Sequence, residues 1–388
     1  MSQNMVGTKV AAELLGVSTS TLYRMVEQGI LKPSKTPGGQ RRFSILQLEE
    51  YKTKSCDFVA PQNPSQVRSD ADSKAVDANS EALACDKVAD LDIEDESTTG
   101  VIDSKPVDPR NTLNDLNGSQ WLPETKSFFY QKGLGAKHPH AQIERQHPAP
   151  FSFQDISHLV TFFTKKGMAV LDPFGGIGST AKACELEGRV CTSIELQSKW
   201  HELAKQRLDS EVVEGASKKH KFILGDTRCV LKDMSNSSFD FVVTSPPYWS
   251  ILNKKADHKV KKERLANNLA TNYSDDDDKD LANIENYEEF LKVLVSDVFL
   301  ECGRVLKPKK YMCLVVSDFR NRSEFISFHS DLIQAINQKQ TSDGYKLTLQ
   351  GVKVLLQNHK SLLPYGYPFA YVENIHHQYV LIFKKDKK

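Results

Sequence analysis

Phe239-Asp-Phe-Val-Val-Thr-Ser-Pro-Pro-Tyr-Trp249 is a run of β-forming residues that stops at two prolines followed by two aromatics. Proline fixes φ and lacks an N–H, so neither a helix nor a regular ladder continues through Pro246-Pro247. Phe239, Phe241, Val242 and Val243 predict a buried strand. The turn behind it leaves the carbonyls of Ser245 and Pro246 free to face a cleft at the strand's C-terminal end, where open α/β sheets place their ligands. A carbonyl, a hydroxyl and an aromatic face held in one rigid turn suit a flat ring carrying an amino group. The plain alternative is a strand ending in a tight turn, with Tyr248 and Trp249 filling a core. Segments further upstream separate the two readings.

Met168-Ala-Val-Leu-Asp-Pro-Phe-Gly-Gly-Ile-Gly-Ser-Thr180 reads as a short buried strand, a glycine-rich turn and the start of a helix. A helix over roughly Asp155–Phe163 precedes it. Gly175, Gly176 and Gly178 let backbone come close to a ligand. A second strand, Arg189–Ile194, ends at Glu195, about twenty residues beyond the glycines, where an acidic side chain can hold ribose hydroxyls. A third, His220–Leu224, ends at Gly225-Asp226, where a carboxylate can accept from an adenine amino group. With right-handed crossovers, these turns and the Ser-Pro-Pro-Tyr turn fall along one sheet edge, a nucleotide-type cofactor site beside a base pocket. Each of Asp172, Glu195 and Asp226 taken alone reads equally well as a loop or strand-end carboxylate; their order carries the inference.

From about residue 111 to 385 the chain resembles the S-adenosylmethionine-dependent DNA amino-methyltransferases, which modify cytosine N4 or adenine N6. Asp172-Pro173-Phe174-Gly-Gly-Ile-Gly178 matches their cofactor loop and Thr244-Ser-Pro-Pro-Tyr248 their catalytic loop. His147-Pro-Ala-Pro-Phe151 is similar to the segment that closes over the cofactor's methionine end. The likeness continues through Tyr287-Glu-Glu-Phe290, Arg304-Val-Leu-Lys-Pro308, Val315-Val-Ser-Asp-Phe-Arg320 and Pro364-Tyr-Gly-Tyr-Pro-Phe369. The cofactor half comes first, outside the β arrangement in which the catalytic half leads.

The resemblance implies an α/β fold, a Rossmann-like seven-stranded class I methyltransferase sheet, mostly parallel with an antiparallel last strand. Gln350–Leu356 and Gln378–Phe383 would be its final pair. It implies S-adenosyl-L-methionine as cofactor, held by His147, Phe151, the Asp172–Gly178 loop, Glu195 and Asp226. It also implies that Ser245, Pro246, Pro247 and Tyr248 form the catalytic site, the Ser245 side chain and the Pro246 carbonyl accepting hydrogen bonds from the target amine and Tyr248 stacking on a base flipped out of the duplex. Serine ahead of Pro-Pro-Tyr is the pattern associated with cytosine N4, adenine N6 being the alternative. No Pro-Cys dipeptide occurs, which speaks against carbon-5 cytosine methylation. A DNA-binding regulator with an inactive methylase fold, and an RNA or protein methyltransferase, are the competing classes.

Residues 1–52 predict a separate small domain. Val10, Ala11, Leu14 and Leu15 have helical spacing and Gly16 ends that segment; Ser18 suits an N-cap for a second helix, Thr19–Gln28, with Leu22, Met25 and Val26 inward. A turn-rich ribbon from Ile30 to Phe43 follows, then a third helix capped by Ser44. The unit resembles the winged helix-turn-helix of the MerR and excisionase families, most specifically at Thr36-Pro-Gly-Gly-Gln-Arg-Arg-Phe43. That resemblance places Thr19, Ser20, Tyr23 and Arg24 at a major groove of double-stranded DNA, with Lys35, Arg41 and Arg42 reaching phosphates from the wing. The alternative is a helical protein-interaction module with a solvated basic loop.

Residues 53–110 lack period, hold few aromatics and are acid-rich around Asp92–Glu96, the composition of a disordered tether. Residues 111–388 form the methyltransferase domain. After the catalytic turn, Lys254, Lys255, Lys259, Lys261, Lys262 and Arg264 form a basic run suited to DNA phosphates, or a solvated helix face. Across the 388 residues, 51 basic side chains nearly balance 50 acidic ones, so any nucleic-acid surface must be a local patch. The seven cysteines show no metal-type spacing, and no apolar run approaches a membrane span or signal segment, which together suggest a soluble cytoplasmic protein. A cognate restriction endonuclease is a further partner the resemblance admits.

Overall fold

The computed structural model describes residues 5–15, 22, 25, 26, 31–35, 41–45, 48, 105–131, 138–149, 151–249, 270, 279–357, 360 and 362–387. The chain divides into two units, Met1–Glu94 and Asp95–Lys388.

In the first unit, strand β1 (Met5–Gly7) leads into helix α1 (Thr8–Leu15), and the ribbon strands β2 (Ser34–Lys35) and β3 (Arg41–Ser44) pair antiparallel. β1 adds to the free side of β3, with Val6 opposite Phe43, a strand the sequence pattern did not signal. Ala11, Ala12, Leu22, Met25, Leu31, Phe43 and Leu48 form the core. Leu22 and Met25 thus face inward as expected, whereas Val10 and Leu14 of α1 stay 45% and 39% exposed. Small side chains at 11 and 12 let α1 sit close to the wing, so the helix buries its alanines rather than its branched residues. Most of the expected second helix, the stretch 53–104 of the expected tether, and the basic run at 254–264 lie outside the described residues.

The second unit is built on a sheet of eight strands. Five are β5 (Ala169–Asp172), β6 (Val190–Glu195), β7 (Lys221–Leu224), β8 (Phe239–Thr244) and β9 (Leu306–Val316). β12 (Lys346–Leu356) and β13 (His377–Asp386) complete the expected seven, and β4 (Phe128–Tyr130) is the eighth. β10 (Phe319–Asn321) and β11 (Glu324–Ile326) pair with each other outside this sheet. The spatial order is β4-β12-β13-β9-β8-β5-β6-β7. Only β13 runs antiparallel to its neighbours, with Leu349 of β12 opposite its Phe383, so the expected final pair is present. The departure from seven strands is β4, which pairs parallel to the end of β12, Phe129 opposite Leu355. Its three residues carry no run of alternation long enough to declare a strand. The side-chain amide of Asn117, which caps α2 (Gly118–Glu124), donates to the Lys105 carbonyl at 3.1 Å.

Each parallel crossover follows from local sequence. Ser152 accepts from the Gln154 N–H to start α3 (Phe153–Phe163), and Gly188 in the left-handed region ends α4 (Ser179–Glu187). All six residues of β8 are buried, because helices cover both faces of the sheet. Phe241 stacks on Phe163 of α3 on one face, with ring centroids 5.3 Å apart. Val242 joins the opposite core with Phe290, Phe299 and Phe328. Burying one such side chain contributes roughly 1.5–3 kcal/mol, which is why this strand anchors the catalytic turn.

Candidate active site

β5, β6, β7 and β8 are mutually parallel, so their C-terminal ends lie along one edge. There a cleft of ≈ 870 Å³, counting its open mouth, is lined by His147, Phe151, the Pro173–Ile177 turn, Glu195, Asp226 and Ser245-Pro246-Pro247 among others. The glycine turn and the proline turn therefore face the same space.

The glycines divide their work. A Cβ on Gly175 would stand 1.8 Å from the Ser193 Oγ, so Gly175 lets the turn press against β6. Gly176 has φ +48 and donates its N–H to Glu195 Oε2 at 2.8 Å. Gln197 N–H donates to the other oxygen, Oε1, at 2.8 Å. Burial drives the Glu195 carboxyl up to about 7 although these two N–H groups favour its charge. Gly178, the N-terminal residue flanking α4, is left-handed and packs on Ala204 rather than lining the cleft.

Asp172 is fully buried and also stands behind the cleft. Its Oδ1 accepts from Thr244 Oγ1 at 2.6 Å and from the Phe174 N–H at 3.0 Å; its Oδ2 accepts from Thr180 Oγ1 at 2.5 Å. It thus ties the end of β8, the glycine turn and the start of α4 together, and burial raises its carboxyl pKa. The expected cofactor ligand is, in its described contacts, the clamp that holds the two turns in register. Asp226 does line the cleft, capping helix α6 (Thr227–Lys232) and forming an ion pair with Arg228 at 2.7 Å. Burial opposes its charge, but the hydrogen bonds from Arg228 outweigh it and hold the carboxyl below its ordinary range.

Three further walls gave little sequence signal. Trp200, buried in α5 (Ser198–Glu211), meets the His147 ring edge-on at 4.9 Å and lines the cleft beside it. Its one cue is a tryptophan in a largely polar helix. Asp280 and Leu281 line the cleft where the described chain resumes after 278. The Lys279 carbonyl accepts from Arg228 at 3.0 Å, and Ile284's carbonyl accepts from Trp249 Nε1 at 2.8 Å, anchoring that return.

Tyr248 lies to one side of the cleft. Its half-buried ring stands edge-on to Phe319 and Phe328, centroids 6.5 Å from each. Its hydroxyl accepts from Gln378 Nε2 at 3.2 Å, and burial raises its pKa against that bond. Of the expected DNA contacts, Arg41 and Arg42 are half-buried on β3. Thr19, Ser20, Tyr23, Arg24, Lys254, Lys255 and the Lys35 side chain lie outside the described residues. No helix among the described residues is long and apolar enough to cross a membrane, and none of their His, Cys, Asp and Glu side chains cluster as a metal site.

Residues 62–206 match the family model for DNA methylases, a span holding the glycine turn, Glu195 and Trp200. Residues 5–55 match the model for a helix-turn-helix domain. YubD of Escherichia coli, assigned by its name to the methylases, is 39% identical over 64 residues, 16% of this chain and 28% of YubD; the chain thus spans under a third of that relative. A DNA modification methylase of Thermus thermophilus, solved with S-adenosyl-L-methionine, is 26% identical over 42% of this chain and 54% of its own, with a TM-score of 0.27. A SAM-dependent methyltransferase of Methanosarcina mazei is 16% identical over 57% of this chain and 94% of its own, with a TM-score of 0.34. Two parts of the chain thus match family models, one for a helix-turn-helix domain and one for DNA methylases.

Proposed function

We propose that the protein transfers a methyl group from S-adenosyl-L-methionine to the exocyclic amine of a base flipped out of double-stranded DNA, with cytosine N4 as the target. The observation that carries this reading is the single cleft walled by both the glycine turn and Ser245-Pro246-Pro247. Its mixed lining, apolar with a few convergent polar groups, suits a nucleoside-type cofactor. Phe151, Ile177, Leu196 and Trp200 offer apolar surface, and Glu195 and Asp226 offer carboxylate acceptors. When bound, S-adenosylmethionine supplies an electrophilic methyl on a sulfonium.

Glu195, fixed in orientation by two backbone N–H donors, is placed to accept from ribose hydroxyls. Asp226 accepts from an adenine amino group, and His147 with Phe151 covers the remaining end. An exocyclic amine is a poor nucleophile because its lone pair is delocalised into the ring. Two acceptors, the Ser245 hydroxyl oxygen and the Pro246 carbonyl, draw its N–H bonds toward themselves and leave the lone pair pointing away from them. Positioning and fixed dipoles then supply most of the acceleration, and no covalent nucleophile is required. The helix-turn-helix domain adds a second DNA contact, with Arg41 and Arg42 at phosphates.

The test is to incubate the protein with duplex DNA and methyl-labelled cofactor, digest to nucleosides and weigh the labelled product. N4-methylcytosine is expected. N6-methyladenine would keep the chemistry and change the base, and the absence of label from DNA would overturn the reading.

A further inference from the structure

A line of side-chain amides runs along the carboxyl edge of the sheet from the added strand to the catalytic turn. Gln131, directly after β4, donates from Nε2 to Asp155 Oδ2 of α3 at 2.7 Å. Gln357, directly after β12, donates from one Nε2 to Gln131 Oε1 at 2.9 Å and to Gln378 Oε1 of β13 at 3.2 Å. Gln378 Nε2 donates to the Tyr248 hydroxyl at 3.2 Å.

The direction of this line is set at its far end. A carboxylate only accepts, and a protonated carboxyl still offers its second oxygen, so Gln131 presents its amide N–H₂ to Asp155 and its oxygen to Gln357. Gln357 must then donate, and its two N–H bonds fork to the oxygens on either side. That leaves Gln378 with its oxygen engaged and its N–H₂ turned to Tyr248. The Tyr248 oxygen thus receives its N–H from the near end of this line. The arrangement has a cost. Gln357 is buried, and its own Oε1 finds no hydrogen-bond partner among the described residues. A buried acceptor left unpaired costs about 1–3 kcal/mol, so the fork is kept against a local penalty.

We propose that Gln378, Gln357 and Gln131, oriented by Asp155, are positioning residues that fix the Tyr248 hydroxyl and with it the end of the catalytic turn. This rests on the function proposed above and names residues that touch neither base nor cofactor. It also gives the eighth strand a purpose: β4 brings Gln131 beside the ends of β12 and β13.

The full-length protein carrying Gln378→Leu or Gln131→Leu tests this, with single-turnover methyl transfer, cofactor affinity and the Tyr248 signal in a ζ-¹³C-tyrosine-labelled sample. Both variants are expected to transfer methyl more slowly, Gln378→Leu by about 10- to 100-fold, the scale on which small misplacements of reacting groups act. Gln131→Leu should fall by less, cofactor affinity should stay within about twofold, and the Tyr248 resonance should move in both. Asp155→Asn, which keeps an acceptor oxygen for Gln131, should stay near the wild-type rate. A chain that serves only folding would lower the melting temperature and leave the transfer rate and the Tyr248 resonance of folded protein unchanged; that result overturns the proposal. Should the wild type transfer no methyl, the functional reading falls. The Tyr248 resonance then decides the relay by itself: movement in both variants sustains it, and a fixed signal ends it.

Discussion

Asp155 shows how a single residue can report on the fold. Burial between α3 and Gln131 raises its carboxyl to about 7, against an ordinary value of 3.8. The folded chain therefore binds this proton more tightly than the unfolded chain. The stability this adds is fully present below about pH 4 and is lost as pH rises through about 7, with no further change above. Between pH 6 and 8 the melting temperature of the wild type should fall more steeply than that of Asp155→Asn, whose side chain does not titrate. Parallel melting curves over that range would show that the carboxyl is not the buried, proton-retaining group described. At the same scale, Asp172 shows where a sequence pattern stops. Its place in the cofactor loop was legible at once, but its contacts with Thr180 and Thr244 join residues 8 and 72 positions apart, and no local pattern announces such a clamp.

Among the elements, α4 and α5 are held to the segment before His147 by charges in the interior. Arg207 is fully buried and donates to Glu144 at 2.6 Å, to Glu211 at 3.0 Å and to Ser179 at 3.0 Å. Lys182, also fully buried, donates to Glu211 at 2.5 Å and lies over the Phe153 ring, 4.0 Å from its centroid. Removing one partner from such a group leaves the others charged and unpaired. Arg207→Leu should destabilise the protein by about 3–5 kcal/mol, and Glu144→Gln by less, because Glu144 retains some exposure. Chemical denaturation compares them, and a loss under about 1 kcal/mol for Arg207→Leu would mean the pairs behave as solvated surface ones. The strands were readable because β-branched runs ended at Gly, Asp or Pro. This charge network was not, since Lys, Arg and Glu on a helix are ordinarily solvated and only the packing of α3 over them reverses that.

At the scale of the whole molecule, the order of turns along the sequence anticipated that the glycine and proline turns share one edge of the sheet. The strands β5, β6, β7 and β8 and the wing ribbon follow from runs and breaks visible in the chain, and the antiparallel β13 from the family resemblance. What escaped came from distance in sequence. β4 is three residues added at an edge, and the Gln131 that follows it stands 226 positions from the Gln357 it serves. β1 is completed only when the wing folds back on it. Trp200 and Asp280 escaped for the same reason, since a residue becomes a wall only when other elements arrive around it.

The central claim is that the glycine turn binds the cofactor while the Ser245–Tyr248 turn activates the amine across the same cleft. Ser245→Ala separates those roles most directly, by measuring S-adenosylmethionine affinity and tritium-methyl transfer to duplex DNA in one preparation. Cofactor affinity within about twofold of wild type, with transfer reduced roughly 10²- to 10³-fold, is the predicted result. Transfer at the wild-type rate, or loss of cofactor binding together with transfer, would contradict it.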